Sequence, residues 1–190
     1  MNALIQAGSR QTNVATVAQA ADEYAQYLTF MLGGEVFAVG ILAVKEIIQY
    51  GSLTEVPMMP ACIRGVINLR GAVVPVMDLS ARFGKEATAV TKRTCIVIVE
   101  INAAGEQQVI GMVVDAVNAV LEITMSEIEP APTFGAKIRT DFIAGMGKVN
   151  GKFVILLNVD SVLSMEEMSS LVDVGNSFST PLIAANPEAN

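Results

Sequence analysis

The chain has 190 residues, of which 52% are hydrophobic and 16% charged, and its net charge is −7. That composition excludes a disordered polymer and can bury a sizeable core. The negative charge argues against non-specific binding to nucleic acid or to an anionic membrane. In chain order, residues 1–25 are rich in Ala, Gln, Thr and Asn and read as a mobile arm without the basic start and apolar block of a secretory signal. YLTFML (27–32), Gly33-Gly34 and EVFAV (35–39) read as a hairpin. VINL and AVVPVMDL flank Arg70-Gly71 in the same way, and a single helical turn, Ala81 to Phe83, follows Asp78. TCIVIVEI (94–101) and QVIGMVV (108–114) flank a loop, NAAGEQ. FIAGMGKV and KFVILLNV flank Asn150-Gly151, the strongest short hairpin signal in the chain. Val159 to Leu171 is the best helix candidate, with Asp160 as a plausible N-cap, and the tail from Asp173 to Asn190 resembles the N-terminal arm in composition.

An internal repeat organises these elements. FAVGILAVKEII (37–48) aligns with IGMVVDAVNAVL (110–121), setting Val44 against Val117 and Ile47 against Val120. RGAVVPVMDL (70–79) aligns with NGKFVILLNV (150–159), setting Val73 against Phe153 and Asp78 against Asn158. The expected fold is mainly β. Two small units of about five strands, 26–88 and 89–158, would curl into barrels that protect their edges, and a helix over 159–172 would pack on the first.

The chemistry on offer is sparse. No histidine is present, so imidazole bases, histidine metal ligands and Ser-His triads are excluded. GMGKVNGK (145–152) lies between two strands with no helix after it, so it reads as a glycine-rich hairpin and not a phosphate loop. Glu127 and Glu129, beside Pro130 and Pro132, read as a solvated acidic turn. Cys62 and Cys95 are isolated and read as two buried thiols of a reducing cytoplasm. From Ala43 to Arg93 the net charge is +3, and from Thr94 onward it is −8, so the first half suits an acidic protein partner.

Binding features remain. In VKEII (44–48), an extended backbone puts Val44, Glu46 and Ile48 on one face, whereas a turned one clusters Val44, Ile47 and Ile48. Either way, Glu46 is a lone charge among large apolar groups. Arg70 is a solvated tip by default, or a planar five-donor fork for a carboxylate or carbonyl.

YLTFMLGGEVFAVGILAVKEII, VPMMPACIRGVINLRGAVVPVMDLSARFG, VIGMVVDAVNAVLEI, IEPAPTFG and FVILLNVDSVLSMEEM, in that order, strongly resemble CheW, the coupling-protein family of bacterial chemotaxis. The resemblance spans about residues 26–172. It implies two five-stranded SH3-like barrels, the second inserted so that the C-terminal helix returns to the first. It also implies a non-enzymatic cytoplasmic adaptor, without cofactor or metal. Such an adaptor joins the cytoplasmic tips of chemoreceptors, at the inner face of the membrane, to the histidine kinase CheA, whose regulatory domain is built like CheW itself. By motif match, Val44, Glu46, Ile47 and Arg70 fall on positions implicated in receptor or kinase contacts, as do Cys95, Ile96 and Val120. The family's receptor groove lies between the barrels. The competing reading is a small-ligand-binding or enzymatic β-barrel using Glu46, Arg70 and the inter-barrel cleft. A deep pocket with convergent polar groups would favour it, and a shallow open groove would not.

Overall fold

The computed structural model describes residues 23–133 and 138–165. The expected arm up to residue 22, the tail 173–190 and the helix beyond Met165 lie outside the described residues. The strands are β1 (Tyr24–Leu32), β2 (Glu35–Gly40), β3 (Val44–Gln49), β4 (Ile63–Leu69), β5 (Ala72–Asp78), β6 (Cys95–Ala103), β7 (Glu106–Val114), β8 (Ala116–Thr124), β9 (Ile128–Glu129), β10 (Ile143–Val149) and β11 (Lys152–Leu157). Two short helices, α1 (Leu79–Arg82) and α2 (Val159–Val162), follow β5 and β11.

Turn chemistry sets the hairpins. Gly33-Gly34, Arg70-Gly71, Ala104-Gly105 and Asn150-Gly151 take positive φ at both positions, as a type I′ turn requires. The NAAGEQ loop therefore tightens to two residues, and β6 and β7 extend to meet it.

β1 begins at Tyr24, so the last residues of the expected arm are already paired strand. One sheet has the order β8-β1-β2-β11-β10-β9 and the other β3-β6-β7-β5-β4. Both are curled into half-barrels. In the first, β8 and β9 lie at opposite ends of the order yet are joined by the 3-10 turn Met125–Glu127. Three linking residues reach about 10–14 Å, whereas five strand spacings in a flat sheet total about 24 Å. The same curl in the second sheet carries the segment after β3 onto the far edge strand, where Thr54 and Val66 exchange backbone hydrogen bonds of 2.9 and 2.8 Å.

The sheets do not divide the chain at residue 88. The repeats run in sequence, β1–β5 and then β6–β11, but each sheet combines the first two strands of one repeat with the later strands of the other. The chain crosses over at Ile41–Ala43, between β2 and β3, and again at Asp115, between β7 and β8. The parallel pairs β2–β11 and β5–β7 are equivalent partners in the two sheets. Units 26–88 and 89–158 thus correspond to the sequence repeat and not to the barrels.

This exchange explains the apolar runs. Alternate residues of β6 face opposite ways: Ile96 and Ile98 fill the interior of the second half-barrel, while Val97, Val99 and Ile101 join the larger core between the sheets. A strand buried on both faces reads as a continuous hydrophobic run. Phe30, Phe37, Phe83 and Phe142 form a chain of ring contacts through that core, with centroids 5.8–6.2 Å apart. Arg82 and Arg139 lie over the Phe142 ring at 4.7 and 4.6 Å.

α2 packs at the seam of the sheets, with Val162 and Leu163 in the central core. Its N-cap is Asn158, whose Oδ1 accepts from the Ser161 amide, and not Asp160. Asp160 instead accepts from the Asn102 amide of β6 at 3.0 Å. Arg82 Nε donates to the Val162 carbonyl at 2.8 Å and fixes the other end.

Asp78 is the polar centre of the fold. Fully buried, it caps α1 through the Ser80 and Ala81 amides. It also accepts from Arg64 Nε at 2.9 Å, Thr88 N at 2.8 Å and Thr88 Oγ1 at 3.0 Å. Arg64 Nη2 in turn donates to the Thr88 carbonyl. These contacts pin the segment after α1 back against β4 and β5.

Candidate functional site

β3 carries most of the sequence candidates, and its geometry follows neither expected pattern. A register shift between Val44 and Glu46 changes which face each residue takes. Val44 pairs with Val99 and Ile47 with Val97, both residues of the central core. Glu46 and Ile48 pair with Ile98 and Ile96, on the face that lines the half-barrel interior. The candidates therefore separate onto opposite faces of one strand.

Ile47 of the first group lines an open groove between the sheets, of about 440 Å³, and the strand end Ile48-Gln49 lines it too, whereas Val44 packs against the central core. One wall holds Ile47, which is 43% exposed, and Cys95. The other holds Val117 of β8. Val120 pairs with Leu28, a central-core residue, so it extends the same face of β8 and is 47% exposed. The repeat alignment pairs Val44 with Val117 and Ile47 with Val120, so the walls are equivalent strands, the two that cross between the sheets. Sequence reading missed Val117, although that alignment carried the signal. It also missed Lys92 and Arg93 at the groove's mouth.

The second group is an ion pair at the end of the half-barrel. Arg70 Nη1 and Nη2 donate to Glu46 Oε1 and Oε2, both at 2.9 Å. β3 and β4 lie at opposite edges of their sheet, so this fork spans the gap left by the curl. Arg70 is neither a bare tip nor a free fork. Its side chain is 79% exposed and that of Glu46 23%, so the pair contributes only about 0–1 kcal/mol. Arginine is also an unusual choice at φ 52°, where the equivalent turn uses asparagine. The contact to Glu46 accounts for it. Ile96 belongs to neither group: at 1% exposure it sits inside the half-barrel, where a partner cannot touch it.

The cysteines differ as well. Only Cys62 is buried; Cys95 is half-buried in the groove, which corrects the reading of two buried thiols. Burial raises the Cys62 pKa above its ordinary value of 9.0, against a smaller opposing pull from Arg82. Unfolding lets this thiol ionise at lower pH, so its contribution to stability is present below pH 9 and is lost as pH rises beyond it. With a maleimide at pH 8, Cys95 is expected to react first and Cys62 at least about tenfold more slowly. Mass spectrometry of a labelling time course checks this, and equal rates would refute it.

Among the described residues, no cluster of His, Cys, Asp and Glu is placed to hold a metal ion, and no helix is long and apolar enough to cross a membrane. The groove gathers no convergent buried polar groups of the kind a small-ligand pocket uses.

A model of the CheW-like domain matches residues 26–167. The chain belongs to the CheW-like family. It is 35% identical to the chemotaxis protein CheW of Klebsiella aerogenes over 166 residues, covering 86% of this chain and 98% of that one. It is 36% identical to the CheW of Rhizobium meliloti, covering 75% and 89% of the two chains. The crystal structure of the scaffolding protein TtCheW from Thermoanaerobacter tengcongensis is similar at a TM-score of 0.68 and 34% identity, covering 77% of this chain and 92% of that one. The mainly β architecture of two curled sheets is thus the architecture of a CheW scaffold, and this chain is a chemotaxis coupling protein.

Proposed function

We propose that this chain is a non-enzymatic cytoplasmic adaptor that joins the cytoplasmic tips of chemoreceptors to the histidine kinase CheA. The observation that carries the reading is the separation of the candidates on β3. An adaptor needs two docking surfaces, and the C-terminal end of this strand, at Ile47, lines a groove between the sheets while Glu46 reaches the exposed ion pair. The groove, with Ile47 and Cys95 in its lining and Val44 and Val120 further along the two wall strands, takes the receptor, whose helical tip suits a helix-in-groove contact. The end of the half-barrel, with Glu46 and Arg70, takes the kinase's matching domain. Ile96 supports the groove wall from behind through strand β6.

The test is co-sedimentation of the full chain with receptor-containing membranes and, separately, with CheA. Ile47→Asp should weaken receptor binding about 10- to 100-fold, the range of an interface anchor, and leave kinase binding intact. Arg70→Ala should weaken kinase binding and spare the receptor, with a stability loss of about 1 kcal/mol or less. Loss of both interactions in either variant, without loss of fold, would refute the division into two surfaces. Failure of the unaltered chain to bind both partners would refute the adaptor reading.

A further inference from the structure

Of the basic side chains among the described residues, only Lys92, Arg93, Lys148 and Lys152 have neither an ion pair nor a buried contact. Lys45 pairs with Glu100, Arg64 with Asp78, Arg70 with Glu46, Lys85 with Glu35 and Arg139 with Asp141, while Arg82 is held by the Val162 carbonyl and the Phe142 ring. Lys92 and Arg93 are exposed and in no ion pair. Both line the inter-sheet groove, and no acidic side chain lines it with them. In a chain of net charge −7, the groove shared by the two crossing strands therefore carries two positive charges with no acidic side chain in its lining.

We infer that Lys92 and Arg93 select the groove's occupant, a receptor helix whose apolar stripe is flanked by acidic side chains. The inference rests on the adaptor reading for its partner and adds the residues that discriminate among such partners. Apolar contact with Ile47, Cys95 and Val117 gives affinity without much discrimination, since many amphipathic helices carry a suitable stripe. Charges at the rim give discrimination: they speed encounter with a helix of opposite sign and repel one of like sign. The segment that holds them is short and fixed. Thr94 is buried, its hydroxyl accepts from the Thr91 amide at 2.8 Å, and the Thr91 hydroxyl accepts from the Arg93 amide at 3.2 Å. The two cations are thus presented from an ordered turn that leads directly into β6.

The experiment measures binding of a chemoreceptor cytoplasmic fragment from the same organism to the full chain, at about 50 mM and about 500 mM salt. The chain is compared with the double variant Lys92→Glu/Arg93→Glu and with Ile47→Asp. The double variant is expected to lose about tenfold in affinity at low salt, with most of the difference gone at high salt. Ile47→Asp should lose affinity at both. Acidic residues of the receptor helix changed to lysine should restore binding to the double variant and not to the unaltered chain, which a general folding defect would not do. If Ile47→Asp weakens binding while the double variant stays within about twofold, the groove is used but the cations select nothing, and the inference fails alone. If neither variant changes binding, the assignment of the groove to the receptor fails with it.

Discussion

Asp78→Ala is expected to destabilise the protein by about 3–5 kcal/mol, the cost of leaving one member of a buried ion pair without its partner. The substitution removes the acceptor for five hydrogen bonds at once: Arg64, both amides of the α1 cap, and the amide and hydroxyl of Thr88. Arg64, partly covered by its surroundings, is left facing the gap. Asp78→Asn should cost less, since the amide oxygen still caps α1, as Asn158 does at the equivalent position of the second repeat. Asn158 has no arginine to answer, because the residue equivalent to Arg64 there is Ala144. Urea unfolding followed by far-UV circular dichroism measures the order. A loss below about 1 kcal/mol for Asp78→Ala would mean that water replaces the buried network.

Gly65→Ala is expected to cost about as much, roughly 3–5 kcal/mol, for a different reason. Gly65 takes φ +145°, a region where L side chains are strained, and an added Cβ would meet the Thr54 carbonyl oxygen at 2.4 Å. The clash is with backbone, which cannot swing aside. Thr54 is the residue that joins the far edge of the sheet through Val66, so relief requires the curl to open. The Arg70–Glu46 fork spans the same gap and should loosen with it. Thermal unfolding should show a Tm drop of the order of 10 °C or more. If the drop is instead within a degree or two, the Thr54 segment moves freely and does not hold the half-barrel together.

Much of this was legible in the residues because the local rules agreed with one another. Three glycine-bearing pairs announced three hairpins, and all three formed; the NAAGEQ loop became a fourth by tightening to Ala104-Gly105. The repeat alignment predicted equivalent strands, and the sheet orders are equivalent. Residues 26–88 and 89–158 failed as barrel boundaries because strand exchange leaves no local trace: β3 has the same pattern whether it pairs with its own repeat or with the other. The shift at Val44/Glu46 was illegible for a similar reason, since a bulge alters parity without altering composition. Arg70 and Glu46 were each singled out, but their pairing crosses 24 positions and depends on a curl that sequence periodicity does not encode. Ile96 came from a motif match, and only burial shows that it faces inward. Lys92 and Arg93 counted in the sequence only toward the basic stretch from Ala43 to Arg93, and the groove places them beside Cys95.

The two crossovers have a mechanical consequence. Barrels joined by one linker can rock about it, so a cleft between them opens and closes. Here two backbone connectors cross between the sheets, one entering β3 and the other β8, and each leads straight into a wall of the groove. Opposing leashes of three residues and one residue leave no slack for a hinge. The groove's width is set by the covalent chain and its shape is present before any partner arrives. Such a receptacle spends little ordering entropy on docking, and force applied at one wall is transmitted to the other sheet without being absorbed between them.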